Sequence, residues 1–339
     1  MNSPASAYVP DARATAARDW ALRQLHLRDA VFAPASADAS FRRYFRVEDG
    51  ERSWVVMDAP PEREDCRPFI RIARLLLDAG LHGPQIVAQD LEQGFLLLSD
   101  LGRQTYLNLI QQRGLQQGGA AVDALMGDAI DALLRWQLAS RPGVLPPYDA
   151  ALLQRELQLF PDWYVARHLQ TATSIAQAAA LEGIERLLVA SALAQPRVYV
   201  HRDYMPRNLM VSAPNPGILD FQDAVEGPLS YDVVCLFKDA FLSWPAGQVE
   251  RWRAIYVERA RKAGLLLADD AEFARQFDWM GVQRHLKVIG IFARINYRDG
   301  KPHYLADVPR FIAYVREVAG RYRELTPLLH LFDELGMVA

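Results

Sequence analysis

Asp203, Asn208 and Asp220 are the residues whose types and spacing could do chemistry together. The first two stand in His201-Arg202-Asp203-Tyr204-Met205-Pro206-Arg207-Asn208, the order H-R-D-x-x-x-x-N, directly after the apolar run Val198-Tyr199-Val200. Pro206 keeps this loop from becoming a helix. Two strand-forming stretches follow, Leu209-Met210-Val211-Ser212 and Gly217-Ile218-Leu219-Asp220-Phe221, joined by the turn-forming Ala213-Pro214-Asn215-Pro216. Pairing about that turn sets Ser212 opposite Gly217 and Leu209 opposite Asp220. Asn208 and Asp220 then emerge at one open end, beside Asp203. An amide oxygen and a carboxylate are hard ligands for Mg²⁺, whose shell water and phosphate can complete. A further carboxylate over an acceptor hydroxyl orients it and takes its proton as charge develops. The chemistry that joins these parts is phosphoryl transfer, with Asp203 as base and Asn208 and Asp220 on the metal. His201, Asp223 and Asp232 read as structural support for the loop. Asp232 opens the apolar helix Val233 to Leu242, where capping alone would account for it.

The elements that must position this loop divide the chain in two. A helix is expected over about Asp11 to Leu27. Ser40 to Val47 and Ser53 to Met57 flank the turn-prone Glu48-Asp49-Gly50-Glu51 and read as a β-hairpin. A helix from Pro68 to Ala79 stops at Gly80 and leads to strands at Gln85 to Ala88 and Phe95 to Leu98. From Thr105 onward the periodicity becomes helical, with expected helices at Val122 to Ala139, Ala150 to Leu169, Gly247 to Ala263, Phe273 to Tyr297 and Val308 to Glu324. The fold class is therefore α+β: a sheet-plus-helix N-terminal unit over residues 1–103 and a mostly helical unit over 104–339.

Composition narrows the classes. Of the 339 residues, 51% are hydrophobic and 23% charged, which excludes disordered and fibrous chains. A formal net charge of −3 offers no overall basic field for nucleic acid. Cys66 and Cys235 lie far apart without metal-ligand spacing and read as reduced core thiols. Met1 to Asp19 holds no apolar run of the kind a signal peptide needs, and no stretch reaches membrane-spanning length, so the expected compartment is the cytoplasm. Lys238, Lys262, Lys287 and Lys301 are the only lysines, leaving arginine and histidine as the cations of the first 237 residues.

Together the loop, the hairpin and the Ile218-Leu219-Asp220-Phe221 stretch resemble the aminoglycoside phosphotransferase and choline kinase superfamily, small-molecule kinases with a two-lobed protein-kinase-like fold. The resemblance implies ATP and Mg²⁺ as cofactors, Asp203 as catalytic base and Asn208 and Asp220 as metal ligands. It also implies that Gly94 to Gly102 forms the last N-terminal strand and the hinge, where the backbone at Asp100 and Leu101 would meet adenine. Two departures stand out. The position of a glycine-rich phosphate loop is taken by Asp38-Ala39-Ser40-Phe41-Arg42-Arg43-Tyr44, so Ser40 and nearby amides are the expected phosphate contacts. Trp54-Val55-Val56-Met57-Asp58 lacks the strand lysine, and Arg42, Arg43 or Arg46 must neutralise phosphate, according to strand register.

Further stretches, Ser40 to Val47, Val55 to Glu62, Glu156 to Tyr164 and Asn296 to Lys301, resemble the bacterial anomeric kinases of N-acetylmuramate and N-acetylglucosamine that serve peptidoglycan recycling. That resemblance implies transfer to the C1 hydroxyl of an amino sugar; the expected partners are that small molecule, with neither nucleic acid nor membrane, and the expected state is a monomer. The acceptor region agrees in charge: Arg284, His285, Lys287, Arg294, Arg298, Lys301, His303 and Arg310 face only Asp299 and Asp307 between residues 284 and 310. A polycationic aminoglycoside calls for carboxylates and choline for an aromatic cage, whereas a lactyl carboxylate favours arginine. Glu156, Trp163, Tyr164, Arg294, Asn296, Tyr297 and Arg298 are the candidate sugar contacts. A kinase of another small molecule, of aminoglycoside, choline or homoserine type, and a regulatory pseudokinase are the alternatives.

Overall fold

Asp11 starts the first ordered element by accepting the backbone N–H of Ala14 on its carboxylate (2.7 Å). The computed structural model describes residues 11–36, 41–116 and 118–338. Helix α1 (Ala12–Leu25) turns Ala14, Ala17, Trp20 and Ala21 inward, and His26 in the left-handed conformation closes it. Strands β1 (Val31–Ser36), β2 (Arg43–Asp49) and β3 (Arg52–Asp58) form an antiparallel meander, followed by α2 (Cys66–Asp78), β4 (Ile86–Asp90) and β5 (Phe95–Ser99). The five strands lie in the order β1-β2-β3-β5-β4, every pair antiparallel. One sheet face is closed by α1, whose small residues and Trp20 share a core with Phe45, Val47, Val56, Phe95 and Leu97. Strand β1 has no counterpart in the sequence reading. Its Pro34 and alanines give no strand signal, and an edge position tolerates the proline.

Beyond Thr105 come α3 (Tyr106–Gln112), α4 (Ala120–Leu138), α5 (Ala150–Leu157), a π-helical segment (Phe160–His168), α6 (Ile175–Leu193) and β6 (Arg197–Val200). The expected helix from Ala150 to Leu169 is thus broken. Pro161 has no N–H for the continuing ladder and crowds the preceding turn, so α5 stops and the chain resumes with a wider winding. A 3-10 turn at Pro206–Asn208 leads into β7 (Leu209–Met210) and β8 (Gly217–Ile218), which pair with each other. Ser212 and Asp220 lie outside these two-residue strands, so the expected pairing of Ser212 with Gly217 and Leu209 with Asp220 does not form; Asp220, at φ 60°, has left the extended conformation.

Strand β9 (Val225–Pro228) pairs antiparallel with β6. The chain finishes with α7 (Tyr231–Phe237), α8 (Ala246–Lys262), α9 (Asp270–Asp299), α10 (Val308–Ala319) and α11 (Thr326–Glu334). Helix α7 is shorter than expected because Asp239 captures the N–H groups of Phe241 (2.6 Å) and Leu242 (2.7 Å) in a turn. No helix among the described residues is long and apolar enough to cross a membrane, and both cysteines are free and buried.

The chain separates into two compact units. The first runs up to Gln104 and includes Met210–Asp223; the second holds Thr105–Leu209 and Ala224–Ala339. The segment 210–223 therefore groups with the sheet rather than with the helices. The His82 carbonyl accepts from the Ile218 N–H (2.8 Å), the Gln104 carbonyl accepts from the Val211 N–H (2.8 Å), and Phe221 packs against Phe69 of α2 (4.7 Å between ring centres).

Within the second unit α9 crosses the start of the π-helical segment at Gly290. A methyl group there would stand 2.2 Å from the Leu159 carbonyl carbon and 2.6 Å from the Phe160 nitrogen. Since backbone cannot yield as a side chain does, Gly290→Ala is expected to destabilise the protein by about 1–3 kcal/mol through overpacking, read as a lower melting temperature.

Candidate active site

Strand β6 buries Val198, Tyr199 and Val200 and delivers the chain to His201. From there a fully buried carboxylate holds the loop. Asp232, in the first turn of α7, accepts the His201 N–H on Oδ2 (2.6 Å) and the Arg202 N–H on Oδ1 (3.0 Å). Burial pushes Asp232 up to about 7, against the pull of these two backbone donors. Arg202 takes a left-handed φ of 78°, unusual for a residue with a side chain, and its carbonyl receives the Cys235 thiol (3.3 Å). That bend turns the chain so that half-buried Asp203 follows. The Asp203 N–H meets His201 Nδ1 (3.3 Å), while its carbonyl accepts from the Met205 N–H (3.0 Å) and from Asn208 Nδ2 (2.9 Å). With its nitrogen bound inward, the Asn208 amide has its orientation set, and its oxygen is the end that can meet a cation. His201 is buried and lies edge-on to Tyr204, whose hydroxyl donates to the Ala129 carbonyl (2.8 Å).

Glu156, an expected sugar contact, is buried in the same unit. Its buried carboxylate accepts from the Tyr148 hydroxyl, from the Arg202 guanidinium, from Lys287 Nζ (2.9 Å) and from Gln283 Nε2 (3.4 Å). Burial pushes the group up, but Lys287 and Arg202 with the Tyr148 hydrogen bond outweigh it and hold Glu156 at about 2. The guanidinium of Arg202 also lies over the Tyr148 ring (5.8 Å). Glu156 thus ties α5, the loop and α9 together. Lys287 is one of four lysines and falls within an otherwise apolar run of α9, a signal that could have marked it in the sequence.

The first unit holds Asp220, which accepts from Gln222 Nε2 on Oδ1 (3.0 Å). Strand parity divides the arginines. Arg43 shares a face with Phe45 and pairs with buried Asp58 across β2 and β3 (2.5 Å), while also reaching Asp11; Asp58 receives Arg13 as well (2.6 Å). Arg46, on the opposite face, grips Asp100 through Nε (2.5 Å) and Nη2 (3.0 Å) and donates to the Gly102 carbonyl (2.7 Å). Those pairs fasten the sheet to α1 and to the segment after β5, so the Asp100 side chain serves Arg46 and Leu101 is buried. Arg42 is different: burial lowers its affinity for a proton, but the charges of Tyr44, Asp220, Glu64 and Asp223 outweigh that and raise it. Asp223 is exposed and accepts from Gln222 (3.3 Å). Ser40 lies outside the described residues.

The remaining acceptor candidates gather where the π-helical segment meets the end of α9. Tyr164 is buried between Phe160 (6.0 Å between ring centres) and His168 (5.0 Å), and Trp163 is half-buried. Tyr297, partly exposed, joins its hydroxyl to His168 Nδ1 (3.1 Å). Arg298 is engaged by Asp299 through two hydrogen bonds (2.6 and 2.9 Å), Asn296 is half-buried, and Arg294 keeps a buried Nε without an acceptor.

The family model described as the phosphotransferase enzyme family, APH, matches residues 31–275. The chain is 59% identical to the N-acetylmuramate/N-acetylglucosamine kinase of Pseudomonas aeruginosa, covering 90% of this chain and 89% of that one. It is 45% identical to the protein of the same name from Neisseria meningitidis, covering 94% of each. Among solved structures it resembles the ADP-bound aminoglycoside phosphotransferase APH(2'')-Ib, with a TM-score of 0.60 at 14% identity over 90% of this chain and 98% of that one. At such identity the likeness carries the fold, the mixed α and β class expected from the sequence.

The Glu156 cluster has a consequence for stability. Glu156→Gln leaves Arg202 and Lys287 buried without their counter-charge, and should cost about 3–5 kcal/mol in urea denaturation. The sign follows from the depressed acid: its contribution is full above its ordinary value of 4.5 and is lost as pH falls toward about 2, so wild type and variant should converge in stability over that window.

Proposed function

The chain belongs to the APH phosphotransferase enzyme family, and from that premise we propose that it transfers the γ-phosphoryl group of ATP to the anomeric C1 hydroxyl of N-acetylmuramate, N-acetylglucosamine or both. One observation carries the substrate class: identity along about nine-tenths of both chains with relatives named for these two sugars. The basic character of α9 beyond residue 284 supports it, since a carboxylate-bearing sugar and a polycation require opposite fields.

Asp203 orients the C1 hydroxyl and takes its proton as the new bond to phosphorus forms. The Asp232 strap and the bend at Arg202 hold that carboxylate where positioning, the main source of rate in such transfers, can act. Asn208, through its amide oxygen, and Asp220 are the pair that would hold Mg²⁺, and a hard oxygen donor set of one amide and one carboxylate suits that ion. Mg²⁺ with ATP, when bound, supplies the phosphoryl group and neutralises the charge that builds on it. Arg42, already in the field of Asp220, is the arginine proposed for the phosphates; Arg43 and Arg46 have buried carboxylates to hold. Backbone at Asp100 and Leu101 is proposed for adenine.

An ATP-consumption assay with Mg²⁺ across N-acetylmuramate, N-acetylglucosamine, glucose, choline and kanamycin tests this reading. Turnover is expected on one or both of the N-acetylated sugars and on none of the other three compounds. Asp203→Asn should lower kcat by about 10²–10⁴-fold with little change in melting temperature, as removal of a general base does. Turnover of choline or kanamycin with none on either sugar would overturn the proposal.

A further inference from the structure

Arg284, Lys287, Arg294 and Arg298 recur along α9 at intervals that keep them on one face. Their partners differ. Arg284 donates to the Lys238 carbonyl (3.2 Å) and Lys287 pairs with Glu156 (2.9 Å); the charge of Asp203 acts on both. Arg298, at the far end, is bound by Asp299 (2.6 Å). Arg294 lies two turns beyond Lys287, roughly 10 Å along the axis. It is half-buried, its Nε is buried with no acceptor, and no carboxylate pairs with it among the described residues. Burial, then the neighbouring charge of Arg298, lower its affinity for a proton, and the charge of Asp299, itself bound by Arg298, offsets this only in part.

The wall beside it is the π-helical segment. Gly290, one turn before Arg294 on the same face, lies against Leu159 and Phe160, and Tyr297, just after it, is tied to His168. Arg294 thus falls on α9 between the two places where that helix is fastened to the π-helical segment, which carries Trp163 and Tyr164. A guanidinium drawn partly out of water with no carboxylate in contact is unfavourable by itself. The state that relieves it is one with an anion bound, and the planar fork of donors suits a carboxylate.

We infer that Arg294 binds the lactyl carboxylate of N-acetylmuramate and thereby sets the preference of this chain for that sugar over N-acetylglucosamine. The assignment rests on the sugar-kinase reading above. Steady-state kinetics of wild type, Arg294→Gln and Arg294→Lys on both sugars test it. In the Gln variant kcat/KM for N-acetylmuramate should fall about 10–100-fold, through KM, as loss of a charge-assisted bond implies, with little change for N-acetylglucosamine. Arg294→Lys, which keeps the charge without the fork, should lose less, and it decides the question should the Gln variant fail to fold, as judged by its melting transition. Equal losses on both sugars, or none on either, would overturn the Arg294 assignment and leave the sugar-kinase reading standing. A wild-type enzyme that phosphorylates neither sugar would overturn that reading and this assignment with it.

Discussion

A buried carboxylate that receives two consecutive backbone amides is the constraint on which the site depends. Asp232 has no exposure to water, and its oxygens take the N–H groups of His201 and Arg202. The loop satisfies some of its own amides, as Met205 does on the Asp203 carbonyl, but the N–H groups of His201 and Arg202 are met by a side chain from another element. By holding these two, Asp232 sustains the left-handed Arg202, and that bend in turn brings Asp203 and the Asn208 amide into a single hydrogen-bonded arrangement. The Cys235 thiol, one turn along α7, takes the Arg202 carbonyl from the same side.

Charge inside the helical unit follows a second rule: buried ions are kept in mutual contact. Glu156 with Arg202, Lys287 and Tyr148 forms a cluster whose members come from four separate elements or loops. Such a cluster gains little over an apolar core of the same shape, but it fixes which partners meet. The sheet unit solves the same problem by parity. The opposite faces of β2 send Arg43 to Asp58 and Arg46 to Asp100, so each arginine is held by a buried carboxylate. Arg42, preceding the strand, lies in the field of Asp220.

Much of this was legible in the chain. Strands such as Phe95–Ser99 and helices such as α8 and α9 announced themselves by period and by their stops, and the spacing from His201 to Asn208 marked the loop. Other features depended on partners remote in sequence. Glu156 stands out in the sequence as a candidate sugar contact, but its pairing with Arg202 and Lys287, 46 and 131 positions away by subtraction of residue numbers, cannot be read there. The division of labour among Arg42, Arg43 and Arg46 needed the register that places Arg43 opposite Asp58. The break at Pro161 was in principle readable, since proline interrupts a helical ladder, but the close approach of the following segment to α9 at Gly290 was not. Strand β1 was hidden by its alanines and proline.

The central claim is that a hydroxyl on the anomeric carbon of an N-acetylated sugar receives the phosphoryl group. Phosphorus NMR of the product formed from N-acetylmuramate and ATP tests it most directly. One phosphomonoester signal coupled to the H1 proton of the sugar is expected. A phosphate coupled instead to the C6 protons, or no sugar phosphate at all, would contradict it.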